Sequence, residues 1–152
     1  MDAQHAGNEW KKFNQLTCEI EGIYHEASWK LGLSDSAQRI LYAICNLGDP
    51  CFLSDVIRFS GISKQTINSA LRKLEGEEIL TVTATGGRKK QISLTEKGRT
   101  LARETVMQII RIEDEIYSGW TEEERRLYLE LTQRYFEAFR EKIRDLKGRV
   151  RE

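Results

Sequence analysis

The chain has 152 residues, of which 39% are hydrophobic and 32% charged, with a single proline. This length and composition predict one helix-rich domain, α+β in class, that has a core of its own. No apolar run reaches the length of a membrane span, and residues 1–13 lack the apolar core of a secretory signal. We therefore expect a cytoplasmic protein that has no membrane segment.

The charges are distributed unevenly along the chain, although the formal net charge is zero. Residues 54–99 carry nine Lys/Arg and five Asp/Glu, a local net charge of +4, so the remainder carries −4. A basic centre between acidic ends is typical of a protein whose middle segment faces nucleic acid.

Two helices are predicted before this basic centre. Apolar residues recur every three or four positions from Trp10 to Leu31, which predicts a helix over residues 9–31. A second helix is predicted from Ser34 to Leu47.

Two short helical patterns open the basic centre and are joined at Gly61. The first, Leu53 to Phe59, is amphipathic, with Ser54 as a possible cap. Gly61 permits the left-handed backbone that ends one helix, and Ser63 is a favourable N-cap for the next. The second helix has an apolar stripe formed by Ile67, Ala70, Leu71 and Leu74. Such a pair indicates a helix-turn-helix, which places its second helix in the DNA major groove.

The opposite face of this second helix is polar. Its side chains are of the kind that bond to base edges and phosphates. They are Lys64, Gln65, Thr66, Asn68, Ser69, Arg72 and Lys73. A solvated helix face is the alternative interpretation, but the segment that follows favours DNA binding.

That segment is predicted to be a β-hairpin, residues 79–84 paired with residues 91–94, because β-branched and alternating apolar residues fill both arms. Two glycines supply the turn, and its tip carries Arg88, Lys89 and Lys90. We expect Arg88 to enter or border the adjacent minor groove, and Lys89 and Lys90 to contact phosphate. A solvated loop is the alternative.

Two further helices are predicted after the hairpin. Thr95 can cap one that runs to about Tyr117. Thr121 and Glu124 form a capping box for a last helix that reaches about Lys147. The first and last helices have apolar stripes wider than a core of this size can cover, so a partner chain is expected to bury them. The alternative is a monomer with long surface helices.

The order of these elements, and the run ISLTEKG, resemble the MarR family of winged helix-turn-helix regulators. Members of that family have an Asp-x-Arg wing tip before a strand that ends in a Leu-Thr and glycine motif. Here Arg88 stands at the arginine position. Leu94, Thr95 and Gly98 match the strand end, whereas Gly86 stands at the position of the aspartate that helps to brace the wing.

The resemblance implies a mainly helical fold with a small β-hairpin wing, formed by residues 1–152 as one domain. Residues 34–98 would be the DNA-binding lobe. Residues 9–31 and 100–147 would be dimerisation helices, interlocked between the two subunits of a homodimer.

The resemblance also implies a small-molecule cleft where the dimerisation helices meet the DNA-binding lobe. We expect Tyr24, Trp29 and Tyr42 to contribute to it, because rings with a polar tip or edge suit a small aromatic effector. Alternatively, these three residues pack in the core at a hinge.

Cysteine and histidine placement gives no sign of a disulfide framework or a metal site. Cys18 and Cys45 lie beside apolar residues and are expected to act as small hydrophobic residues, whereas Cys51 is expected to be the most exposed thiol. His25 is expected to pair with Glu21. No phosphate loop or nucleophile elbow is found, so neither a cofactor, a metal nor catalysis is predicted.

The sequence therefore predicts a dimeric transcriptional regulator, a repressor that binds a pseudo-palindromic operator in double-stranded DNA and is released by a small ligand. The alternative function is a winged-helix module that binds other proteins. A protein-binding helix should present apolar or aromatic anchors, whereas this one presents the polar residues named above.

Overall fold

The computed structural model describes residues 3–148 and has a mainly helical fold with a small antiparallel sheet, as predicted. The elements are α1 (Ala3–Lys30), α2 (Asp35–Leu47), β1 (Cys51–Phe52), α3 (Leu53–Ser60), α4 (Lys64–Gly76), β2 (Leu80–Ala84), β3 (Lys90–Leu94), α5 (Glu96–Glu104), α6 (Val106–Ser118) and α7 (Glu122–Arg144). None of the helices between residues 3 and 148 has the length and apolar character that a membrane crossing requires.

The chain divides into two compact units, the first ending at Ile110 and the second beginning at Arg111. The first unit contains the hydrophobic core, to which α2 to α5, the first residue of α6 and all three strands contribute. Its fully buried side chains include Ile40, Leu41, Ile44, Val56, Ile67 and Ile92. The inward stripe predicted for α4 is confirmed, since Ile67, Leu71 and Leu74 are buried and Ala70 is partly buried against the core.

Most of the helices begin at a residue whose side chain caps the first turn, as the sequence indicates. The Ser63 hydroxyl accepts the N–H of Thr66 at 3.2 Å, and Gly61 ends α3 with a φ of +67°. The capping box of Thr121 and Glu124 is also present. The expected cap at Ser54 is wrong, because α3 already begins at Leu53, directly after β1, and has no side-chain cap.

The sheet has the strand order β1-β3-β2, with all neighbours antiparallel. The hairpin pairs residues in the register Leu80↔Leu94, Thr81↔Ser93, Val82↔Ile92, Thr83↔Gln91 and Ala84↔Lys90. Strand β1 was not predicted and pairs Cys51 with Ile92 and Phe52 with Gln91.

Two cysteine predictions are wrong. Cys51 is buried, because it lies in β1 and joins the core through its pairing with Ile92. Cys18 is exposed, because its part of α1 runs beyond the core and the neighbouring Leu16 and Ile20 are exposed as well. Cys45 is partly buried, as expected for a small hydrophobic residue.

The helix predicted to follow Thr95 is two helices, separated at Thr105. Thr105 has a non-helical backbone, with φ −125° and ψ −94°. It is 4% exposed, and its hydroxyl donates to the carbonyl of Leu101 at 2.6 Å. The buried hydroxyl therefore finds its partner in the preceding turn while the main chain changes direction.

The start of α5 packs tightly against the residue that precedes β2. Thr95 donates its backbone N–H to the carbonyl of Ile79 at 3.0 Å, and its hydroxyl donates to the carbonyl of Glu78 at 2.6 Å, with the Ile79 oxygen also within 3.0 Å. The same hydroxyl accepts the N–H of Gly98 and so caps α5. A Cβ atom on Gly98 would lie 1.9 Å from that same Ile79 oxygen. Only glycine allows this approach of the two main chains.

The terminal helices carry apolar side chains that their own units leave exposed. The α1 stripe comprises Trp10, Phe13, Leu16, Ile20 and Ile23, which are 39–63% exposed. The α7 stripe comprises Leu127, Leu131, Tyr135, Phe139 and Ile143, which are 45–51% exposed. No residue of α7 itself is buried.

Candidate nucleic-acid interface and adjacent pocket

The outward face of α4 is formed by the predicted polar residues. Six of them are exposed: Lys64, Gln65, Thr66, Ser69, Arg72 and Lys73. Asn68 is half-buried and so less available than the sequence suggested. The Ser63 hydroxyl donates to Thr66 Oγ1 at 2.9 Å, which fixes this side chain beside the N-terminus of the helix.

The beginning of α2 lies next to this face, which the sequence did not indicate. Ser34 and Ser36 line a hollow of about 440 Å³ together with Gln65, Ser69 and Lys73 of α4. The hollow is lined by hydroxyl, amide and ammonium groups. The two serines were missed because the contact joins two helices that are distant in sequence.

The wing tip is closed by Thr85, whose backbone N–H and hydroxyl both donate to the carbonyl of Lys89, at 3.3 and 3.0 Å. Gly86 has a φ of +64°, a backbone conformation that glycine adopts without strain. All three predicted cations of the tip are exposed. The ammonium group of Lys89 lies over the ring of Phe52, 5.2 Å from its centroid.

A side-chain hydrogen bond links the wing to α4. Glu75, in the last turn of α4, accepts the backbone N–H of Val82 at 3.3 Å through Oε2. Helix and hairpin are thus joined by a side chain as well as by the chain between them.

A pocket of about 240 Å³ opens between α1, α2 and α3. Tyr24 and Tyr42, two of the three expected residues, line it, and their rings meet edge to face with centroids 6.5 Å apart. Phe59 continues the aromatic wall, 6.0 Å from Tyr42. Trp29, the third, is 78% exposed and is not part of the lining.

The polar wall of the pocket was missed from the sequence and is centred on Arg39. Its Nη2 donates to Glu21 at 3.0 Å, and its Nη1 donates to the carbonyl of Ser60 at 3.2 Å. Gln38 donates to the carbonyl of Tyr24 at 3.1 Å and completes the wall. Arg39 could not be assigned in advance, because its partners come from two other helices.

The expected pairing of Glu21 with His25 is wrong. His25 Nδ1 lies 2.7 Å from Asp35 Oδ2, and Glu21 pairs with Arg39 instead. Asp35 is the first residue of α2, and Glu21 of α1 lies beside Arg39 of α2. The packing of α1 against α2 therefore decides both pairings. The side chain of His5 lies outside the described residues, among which no group of metal-binding side chains occurs.

Two thiols, Cys51 in the core and Cys45 packed against it, are kept protonated by their surroundings. Burial, reinforced by Asp49, raises the pKa of Cys45 above its usual value. Burial, together with Asp49 and Asp55, raises the pKa of Cys51 to about 11. A thiol in this state is a poor nucleophile near neutral pH.

Comparison with known proteins agrees with this geometry. The model of the MarR family matches residues 31–91. Three solved structures have a similar fold, and the first is the transcription regulator MarR from Oenococcus oeni. It is 18% identical, with a TM-score of 0.66 over 84% of this chain and 97% of that one.

The second is NadR in complex with 4-hydroxyphenylacetate, which is 17% identical, with a TM-score of 0.66 over 81% and 88% of the two chains. The third is the regulator MOSR of M. tuberculosis in complex with DNA, which is 21% identical, with a TM-score of 0.57 over 84% and 96%. No match was found among the curated proteins.

Proposed function

Residues 31–91 match the model of the MarR family, and from that premise we propose that the protein is a dimeric, sequence-specific transcriptional repressor. The observation that carries the proposal is the exposed polar face of α4 beside a cationic wing, both built on one core. Such an arrangement suits a helix in the major groove with a hairpin beside it.

Within this interface the residues divide by chemistry. Gln65, Thr66 and Ser69 lie near the start of α4, where base edges are reached. Lys64 and Arg72 are placed for phosphate or guanine, and Lys73 for phosphate. Asn68, half-buried, contributes at the margin. On the wing, Arg88 borders the minor groove and Lys90 contacts phosphate, with Lys89 between them. The structure of MOSR with DNA supports a DNA-binding role for this fold.

The dimer is supported by the α1 and α7 stripes. The 28 residues of α1 extend about 42 Å, well beyond the lobe that its last turns contact. Burial of the two stripes against a second copy would remove about ten large apolar side chains from water. Two copies related by a two-fold axis then match a pseudo-palindromic operator in double-stranded DNA.

The pocket between α1, α2 and α3 is proposed to bind a small aromatic acid that releases the repressor. Tyr24, Tyr42 and Phe59 provide an aromatic wall, and Arg39 provides a cation for the carboxylate. The Glu21 and Arg39 side chains are 60% and 41% exposed, so their ion pair is weak and can be exchanged for a ligand carboxylate. The complex of NadR with 4-hydroxyphenylacetate supports this class of ligand for the fold.

The ligand releases the repressor from DNA only if it binds the DNA-free conformation of the protein more tightly than the DNA-bound one. Arg39 is suited to this coupling, because it also holds the carbonyl of Ser60, next to the turn that leads into α4. A carboxylate that engages Arg39 therefore acts on the segment that precedes the DNA-reading helix.

The DNA-binding proposal is tested by selecting bound sequences from a random pool of duplexes. We expect a palindromic consensus. Gln65→Ala should change the consensus, whereas Lys73→Ala should weaken binding to all sequences alike and reduce the salt dependence. Uniform losses in both variants would make α4 a phosphate platform, and recovery of no consensus would favour the protein-binding module.

The effector proposal is tested by titrating 4-hydroxyphenylacetate, and its neutral amide as control, against the protein on its selected operator. We expect the acid to release DNA at concentrations where the amide does not, and Arg39→Gln to abolish the difference. If no aromatic acid releases DNA but an oxidant does so through Cys18 or Cys51, the sensor is a thiol and the pocket assignment is wrong.

A further inference from the structure

At each edge of the three-stranded sheet, one side-chain contact joins the hairpin to another part of the chain. The strand order, β1-β3-β2, makes β2 one edge and β1 the other. Glu75 of α4 accepts a hydrogen bond from the backbone N–H of Val82 in β2, and the ammonium group of Lys89 in the tip lies over the ring of Phe52 in β1. We propose that Glu75, Phe52 and Lys89 are positioning residues that fix the wing relative to α4, an inference that rests on the proposed DNA binding.

Glu75 has a position that its own helix does not favour. It lies in the last turn of α4, where the helix dipole disfavours a carboxylate. Its bond to the Val82 N–H gives this carboxylate a role, because an edge strand otherwise leaves alternate N–H groups without a strand partner. The bond joins the element that reads the major groove to the element that reaches the neighbouring groove.

Lys89 braces the opposite side of the tip. Gly86 and Gly87 have no side chains with which to hold the loop in one orientation. The loop is closed on itself by Thr85, and the ammonium group of Lys89 then lies over the half-buried Phe52 ring. A cation over an aromatic face is attracted by the ring electrons, so this contact orients the tip toward β1.

This assignment changes the role expected of Lys89 from the sequence. A lysine that contacts phosphate contributes charge, and its loss lowers the salt dependence of binding. A lysine that orients the wing contributes geometry, and its loss has the same effect as loss of the ring that it contacts. The proposal is that Lys89 acts by geometry, while Arg88 and Lys90 supply the charge.

The first test is a double-mutant cycle of Lys89→Met and Phe52→Leu, measured as operator affinity at several salt concentrations. Each single variant should lower affinity by about twofold to fivefold, the factor that corresponds to an exposed cation–π contact. The double variant should lose no more than the worse single one, and the salt slope should stay unchanged.

Two results would overturn this part of the proposal. One is additive losses in the cycle. The other is a salt slope reduced by about one in Lys89→Met alone, which would mark a phosphate contact. Lys89 is exposed, so the result of Lys89→Met stands even if Phe52→Leu lowers stability.

The second test compares Glu75→Ala with Glu77→Ala, a neighbouring exposed acid whose removal changes the net charge equally. We expect Glu75→Ala to lose the wing footprint in the minor groove while the α4 footprint in the major groove remains. Its affinity should be about fivefold to tenfold below that of Glu77→Ala, the factor for one hydrogen bond. Glu75→Gln keeps an acceptor oxygen and should behave as wild type.

Equal behaviour of Glu75→Ala and Glu77→Ala would overturn the role of Glu75, and so would a Glu75→Gln variant that loses the wing footprint. These outcomes differ from failure of the proposed function. In that case, wild-type protein would select no operator and would leave no footprint in either groove.

Discussion

Replacement of Gly98 by alanine is expected to be among the most damaging single-methyl changes in this chain. The added Cβ atom would lie 1.9 Å from the carbonyl oxygen of Ile79 and 2.9 Å from its carbon. These are main-chain atoms, which cannot rotate away as the end of a flexible side chain can. To reach 3.0 Å, the shortest separation that real Cβ atoms show, the oxygen and Cβ must move apart by 1.1 Å.

The magnitude follows from what that movement breaks. The Ile79 carbonyl accepts the N–H of Thr95 at 3.0 Å, and a shift of 1.1 Å would lose this bond, which is worth about 1 kcal/mol. The Thr95 hydroxyl keeps its shorter bond to the Glu78 carbonyl, at 2.6 Å. Ile79 is itself 4% exposed, and forcing apart a packed contact costs about 1–3 kcal/mol. We expect Gly98→Ala to lower the free energy of unfolding by about 2–4 kcal/mol, the sum of the two costs.

The measurement is urea unfolding followed by far-ultraviolet circular dichroism, at one fixed protein concentration because association adds to stability. Gly76→Ala is the matched control, since a Cβ at Gly76 meets nothing within 4 Å and the residue ends a helix. That variant should be neutral or slightly more stable. If Gly98→Ala unfolds within 0.5 kcal/mol of Gly76→Ala, roughly the scatter of surface substitutions, the close approach does not constrain the fold.

Three further predictions concern the wing, a thiol and the dimer. Arg88→Ala should weaken operator binding by about 1–3 kcal/mol, and unchanged affinity at moderate salt would remove Arg88 from the interface. The Cys51 pKa of about 11, against 9.0 for an ordinary thiol, should make its alkylation at pH 8 about 100-fold slower in native protein than in urea-unfolded protein. The rate should rise as the pH approaches 11, and equal rates at pH 8 would contradict the burial of Cys51. Phe139→Glu, in the α7 stripe, should shift sedimentation toward the monomer, whereas Glu137→Lys should not, and a monomeric wild type would refute the dimer.

The elements that could be predicted from sequence are those whose causes are local. Ser63 caps α4 and Gly61 ends α3 through contacts within a few residues. The capping box of Thr121 and Glu124 likewise depends on a spacing that is readable from the chain. The fold class followed from such local signals together with hydrophobic periodicity.

The features that were missed depend on partners distant in sequence. Strand β1 is two residues long, and only its pairing with β3 makes it a strand. The break at Thr105 has neither glycine nor proline to indicate it. It is accompanied instead by a bond from the buried Thr105 hydroxyl to the Leu101 carbonyl, which the sequence does not reveal. Arg39 meets Glu21 and Ser60 only after three helices have packed. The candidate DNA-binding residues were easier to find, because polar side chains opposite an apolar helical stripe are visible in the sequence itself.

The two ends of α7 are secured very differently within the second unit. At its start, the capping box, the Tyr117 hydroxyl on the Arg125 carbonyl and the bond from Arg125 to the Trp120 carbonyl fasten the first turns. Beyond them, the rest of its 23 residues has no buried side chain. A helix in a protein is stabilised mainly by packing of its apolar face, which this part of α7 lacks within its own unit. In a chain without its partner, we therefore expect the exchange rate of the amide hydrogens of α7 to be slowest near residue 125 and fastest toward Arg144. The helix would then fray from its C-terminal end alone.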